Sequence, residues 1–93
     1  MNPFPNATIS GTAIVLAPGH FNPDRAKTAF GLVRGSERFN VLAVIDSKTA
    51  GQDAGDIVDS KMRDIPVFGS VNQALEKLEF RPQYAVIGIT TPG

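Results

Sequence analysis

Three short apolar runs limit what this chain can fold into: Ala13-Ile14-Val15-Leu16-Ala17, Val41-Leu42-Ala43-Val44-Ile45 and Tyr84-Ala85-Val86-Ile87-Gly88-Ile89. Each is continuous rather than alternating, rich in β-branched residues and bounded by polar or turn-forming residues. That pattern predicts strands covered on both faces, as in parallel sheets. Ile65-Pro66-Val67-Phe68 predicts a fourth, shorter strand, and Pro66, which has no amide to donate, places it at the sheet edge or starts it outside the ladder. Between the first two strands, Ala26, Ala29, Phe30 and Val33 recur at the spacing of an amphipathic helix. Asn22-Pro23-Asp24 supplies its start and Gly35 its stop. Ile57 and Val58 predict one short helical turn. Ser70, with Gln73 three residues on, predicts a capping box for a last helix with Val71, Ala74, Leu75 and Leu78 as its apolar stripe. Strands alternating with helices pair in parallel through right-handed crossovers. The expected fold class is α/β, a Rossmann-like open parallel sheet of about four strands with flanking helices.

The 93 residues allow one domain with a modest core. Residues 1–11, rich in Asn, Pro, Ser and Gly, predict an irregular arm, and 12–93 the domain. Nine basic and nine acidic residues cancel, which argues against a broad nucleic-acid or membrane footprint. Without cysteine there is no disulfide, thiolate metal site or cysteine nucleophile. No apolar run reaches membrane-spanning length, and the first residues lack a basic start and an apolar core, so the expected location is cytoplasmic. The sequence stops just after a strand expected to be buried, with no closing helix, and the expectation is the first domain of a longer protein. A homo-oligomer is compatible with that.

In open parallel sheets, ligands gather at the carboxyl ends of the strands, near the point where strand order reverses. Three segments should meet that edge: 18–28, 46–55 and 90–93. In the first, Gly19 and His20 lead towards a helix start whose free amides and positive dipole end suit an anion, and Arg25, Lys27 and Thr28 lie at that start. The loop matches neither a dinucleotide glycine fingerprint nor a Walker A motif, and its charges equally suit a solvated first turn. Asp46 ends the second strand, where dinucleotide enzymes place a ribose-binding acid; it lies 27 positions after Gly19, beyond the usual spacing of about 20. Alternatively it caps its own turn. Gly51 and Gly55 either let a ligand approach the backbone or permit turns. His20, the only histidine, serves as a base or ligand or packs within its loop, and no second His or carboxylate cluster points to a metal. Ser47 and Thr49 lack a neighbouring base, which leaves the catalytic residues unassigned.

Taken together, Ile14-Val15-Leu16-Ala17, Lys27-Thr28-Ala29-Phe30-Gly31-Leu32-Val33-Arg34 and Val44-Ile45-Asp46-Ser47, with Ala50-Gly51 and Ala54-Gly55, resemble the amino-terminal domain of one bacterial and archaeal family. It is domain of unknown function 1611. Ile65-Pro66-Val67 and Ile87-Gly88-Ile89 with Pro92-Gly93 extend the resemblance over residues 12–93. It implies a Rossmann-like domain joined to a larger P-loop nucleotide-binding domain, and for some members N-acetyl transfer to D-amino acids such as D-glutamate. The chain has no P-loop, so ATP chemistry would lie outside it. A looser likeness, Pro66-Val67-Phe68-Gly69-Ser70-Val71 with Ala74, is to the CoA-binding domain of succinyl-CoA synthetases. Pro18-Gly19-His20 stands where those domains carry a glycine-rich turn.

Two expectations follow. One is a ligand-binding domain of a larger N-acetyltransferase-like enzyme, taking an anionic nucleotide or acyl-CoA at Gly19, His20, Arg25, Lys27, Thr28, Asp46, Ser47 and Gly51. The cofactor itself is not fixed by the sequence, with acetyl-CoA and ATP as candidates for the whole protein. The other is an assembly domain that docks a P-loop domain or subunit and has no ligand of its own.

Overall fold

The computed structural model describes residues 11–35, 38–79 and 81–89; the expected arm, up to residue 10, and the expected loop at 90–93 lie outside them. Seven elements follow in order: β1 (Gly11–Leu16), α1 (Lys27–Arg34), β2 (Phe39–Ile45), α2 (Ala54–Asp59), β3 (Val67–Phe68), α3 (Val71–Lys77) and β4 (Tyr84–Ile87). The four strands form one sheet in the order β3-β2-β1-β4, parallel throughout. This is the expected Rossmann-like α/β arrangement. No helix among the described residues is long and apolar enough to cross a membrane.

The two faces follow from strand alternation. Val15, Val41, Val44 and Val67 meet Ala29, Phe30 and Val33 of α1 and Ala54 of α2 on one face. Ile14, Ala43 and Ile45 meet Ala74 of α3 on the other, with Leu16, Phe68 and Leu78 against them. A register shift between Ala13 and Ile14, opposite Val41 and Ala43, lets β2 keep valines at both 41 and 44 on the α1 face. Phe21 closes the end of that core, edge-on to Phe30 at 5.1 Å between ring centres.

Several boundaries differ from the expectation, each for a local reason. β1 starts at Gly11, one residue inside the expected arm. α1 starts at Lys27 rather than near Asp24, because the Asn22 side chain takes the amides of Asp24 and Arg25 and holds them in turns. The loop expected to run to Gly55 ends earlier: Asp53 caps α2 by accepting the Asp56 amide. Ser70 caps α3 as expected, accepting the Gln73 amide at 3.2 Å, whereas the Gln73 side chain reaches the Gly69 amide rather than that of Ser70.

The two edge strands correct the sequence in opposite ways. β3 is an edge, as Pro66 implied, but its outer side is covered. Residues 51–54 run back along it, with Gly51 donating to Val67, Val67 to Gln52, and Ala54 to Ile65. β4, read as a buried strand, is the exposed one: Tyr84, Ala85 and Ile87 are all open to solvent.

Candidate functional site

The strand order reverses between β1 and β4, because the chain steps from β1 outwards to β3 and then returns across the sheet to the far side of β1. A crevice opens above such a reversal. Three segments would wall such a crevice here.

The first wall is the turn after β1. His20 donates its amide to Ala17 and Asn22 its amide to His20, which folds 17–22 back on itself. Gly19 sits at φ +77, in the left-handed region that glycine reaches without strain. That conformation aims its amide at Asp46, 2.7 Å away. Asp46 is 1% exposed. Its other contacts are the Thr49 hydroxyl at 2.5 Å and the Lys48 amide at 3.4 Å. One buried carboxylate therefore caps its own turn and ties the two strand-end loops together. Both of its oxygens are engaged within the domain and the side chain is buried, so in this conformation it is not presented to a sugar hydroxyl.

The second wall is the first turn of α1. The Ala29 amide donates to the carbonyl of Gly88 at 3.0 Å, and the Phe30 amide to that of Ala26. The amides of Lys27 and Thr28 have no acceptor among the described residues, as expected for the first positions of a helix. Lys27, Thr28 and Arg25 are exposed beside them.

The third wall is Gly88, just past β4. A Cβ there would meet Val15 Cγ1 at 2.6 Å and the Ala29 Cβ at 2.7 Å. Only glycine lets the start of α1 approach the end of β4 this closely. Sequence reasoning passed over Gly88; its signal was a lone glycine inside an apolar strand pattern, which marks a close backbone approach.

The expected site residues thus divide. Gly19 and Asp46 are bonded to each other, and Lys27 and Thr28 stand at the helix start beside the reversal. Arg25 and Ser47 are exposed and His20 is half-buried. Gly51 is elsewhere. At φ +94, it lines two open clefts on the β3 flank. One, of about 450 Å³, lies between residues 50–52 and α3, with Phe68, Gln73, Glu76 and Lys77. The other, of about 310 Å³, is bounded by Asp53, Met62 and Asp64. Gly55 serves packing: a side chain there would strike the Lys61 carbonyl and Arg63.

Asp53, which the sequence did not single out, organises that flank. Its carboxylate accepts the amides of Ile65 at 2.8 Å, Arg63 at 2.9 Å and Asp56 at 3.1 Å. Burial alone would raise its pKa, but these backbone donors outweigh burial and hold it below the usual carboxylate range. Arg63 in turn forks onto Asp59 at 2.6 and 2.9 Å. Hydrogen bonding within the pair lowers the Asp59 pKa and raises that of Arg63.

Comparison with known proteins agrees with this architecture. Residues 47–93 match a family described as a domain of unknown function (DUF1611_N), Rossmann-like domain. A crystal structure of a DUF1611 family protein from Anabaena variabilis superposes with a TM-score of 0.72 at 34% identity, covering 87% of this chain and 22% of that one. The chain thus spans about a fifth of that relative's length. No curated protein matches. Fold, strand order and sequence together show that the chain belongs to the DUF1611 family.

Proposed function

We propose that this chain is a ligand-binding Rossmann-like domain of a larger enzyme, and that it takes an anionic nucleotide or acyl-CoA in the crevice between β1 and β4. The observation that carries this reading is the placement of α1. Its first turn lies against Gly88 at the strand reversal, with the Lys27 and Thr28 amides lacking acceptors among the described residues and the charges of Arg25 and Lys27 beside them. A phosphate there would gain backbone donors, the positive end of the helix and charge-assisted hydrogen bonds. Asp46 acts in this reading as a positioning residue, because it holds Gly19 and so fixes the turn over which the ligand would lie.

The finer chemistry, N-acetyl transfer to a D-amino acid such as D-glutamate, rests on the family resemblance alone; it would need residues supplied by the rest of a longer protein. Calorimetric titration of the chain with acetyl-CoA, ATP and NAD tests the binding step. Saturable binding of at least one, weakened by Lys27→Ala, is expected, and no heat from any of them at millimolar ligand overturns the reading.

A second reading, docking of another domain such as a P-loop nucleotide-binding unit, is favoured by one observation: Ile87, on β4, is 67% exposed.

A further inference from the structure

α3 covers only half of its face of the sheet. It packs on β2 and β3, with Ala74 and Leu78 pointing down onto Ile14, Ala43 and Ile45. At 100° per residue, Gln73 and Lys77 fall on the β3 flank of that stripe, where they line a cleft. Val71 and Leu75 fall on the opposite flank, towards β1 and β4, and both are exposed. Beyond them the sheet continues without cover from the described residues. Leu16 lies opposite Ile87 and Ile14 opposite Ala85, so these side chains share the α3 face. Leu16 is half-buried and Ala85 and Ile87 are exposed. The result is an uncharged trough with Leu16, Ala85 and Ile87 as its floor and Val71 and Leu75 as one wall. Packed helices sit about 8–10 Å apart, and two strands span about as much, so the trough has room for one helix beside α3.

Chain chirality says where such a helix comes from. The crossovers from β1 to β2 and from β2 to β3 step one way across the sheet and pass over the α1 and α2 face; the return to β4 steps the other way and passes over the α3 face. Opposite faces for opposite steps are what a single hand produces, and parallel crossovers are right-handed in nearly all proteins. A further step from β4 to a strand on its open edge runs in the same direction as the return. It must therefore carry its helix over the α3 face, onto Leu16, Ala85 and Ile87. The match covers 22% of the solved DUF1611 protein, so most of that protein's polypeptide lies outside it.

We infer that the trough is the seat of an amphipathic helix from the polypeptide that follows β4 in a longer chain, and that β4's open edge receives the strand after it. The inference rests on the docking reading, to which it gives a definite occupant, and is independent of the ligand. Because the chain has no cysteine, a single thiol reports on the trough. Ile87→Cys and, as a second site, Ala85→Cys are labelled with a maleimide in residues 1–93 and in the full-length gene product, with exposed Lys61→Cys as control. Fast labelling is expected at all three positions in residues 1–93. In the full-length protein positions 85 and 87 should slow by about 100-fold or more, since reaction must wait for local opening, while position 61 stays fast. Equal, fast labelling in both proteins overturns the inference and the docking reading together. Protection within residues 1–93 that grows with concentration assigns the trough to a second copy, and protection that needs a separately added subunit assigns it to that partner. Either outcome overturns the helix and leaves docking standing. Ligand titrations are unaffected by any of these results.

Discussion

The two edges of this sheet are finished differently. At β3 the chain returns on itself: residues 51–54 satisfy the outer backbone groups of Ile65 and Val67, and the Asp53 carboxylate pins the return to the loop around Arg63 and Ile65. At β4 nothing among the described residues lies outside the strand, and Ile87 faces water. Unpaired strand edges invite association, and proteins normally cover or charge them. One edge is sealed within the domain, while the other combines an open edge, an uncovered apolar floor and the strand reversal with its helix start. In the proposed reading the β1/β4 side is therefore the working side of the domain, and the β3 flank the supporting one.

The largest effect is expected where the working side is most tightly packed. Gly88→Val forces α1 away from β4, because even the first added carbon overlaps Val15 and Ala29; a loss of about 3 kcal/mol is expected from overpacking, measured by urea denaturation. An unchanged midpoint would show that the close approach is not required. On the sealed side, Asp53→Ala removes one acceptor from three amides and should cost about 2 kcal/mol. Amide exchange at Val67 should accelerate at the same time; stability lost without faster exchange there would separate Asp53 from the edge seal.

The seal should also depend on acid. The folded pKa of Asp53 is depressed, so its contribution is complete above the unfolded value of about 3.9 and is lost as pH falls through the lower folded value. A denaturation series from pH 6 to pH 2 should show a steeper acid loss in the wild type than in Asp53→Asn, and parallel curves would refute the assignment. The smallest effect belongs to the open edge. Ile87→Lys touches little in the domain and should change stability by less than about 0.5 kcal/mol, while reducing binding of a hydrophobic dye. A large loss of stability would mean that the edge is already covered.

How much of this was legible in the sequence depends on what each residue needs from its surroundings. The strands of β1 and β2 were legible because residues such as Val15, Ala43 and Val44 are buried on both faces, and a continuous apolar run records that demand directly. β4 carries the same kind of run and was read as buried, but an apolar side chain states a preference, not the presence of cover. α2 was legible only as the one helical turn marked by Ile57 and Val58; the signal for its start was Asp53 followed three residues later by Asp56, an acidic cap with an acid in the first turn. Asn22 looked like the cap of α1 but caps the turn before it, since residues 23–26 must still bring Ala26 and Phe21 into the core. For Asp46 the sequence left two roles open, and the bonds to Gly19, Lys48 and Thr49 depend on a tertiary approach between two loops that spacing alone does not reveal.

The division between a working and a supporting side is tested most directly by a 1H–15N titration of the chain with acetyl-CoA and ATP, following every backbone amide. The account predicts saturable shifts concentrated at Gly19, Lys27, Thr28 and Gly88. Shifts gathered instead at Gly51, Gln52 and Gln73, around the clefts beside β3, would contradict it.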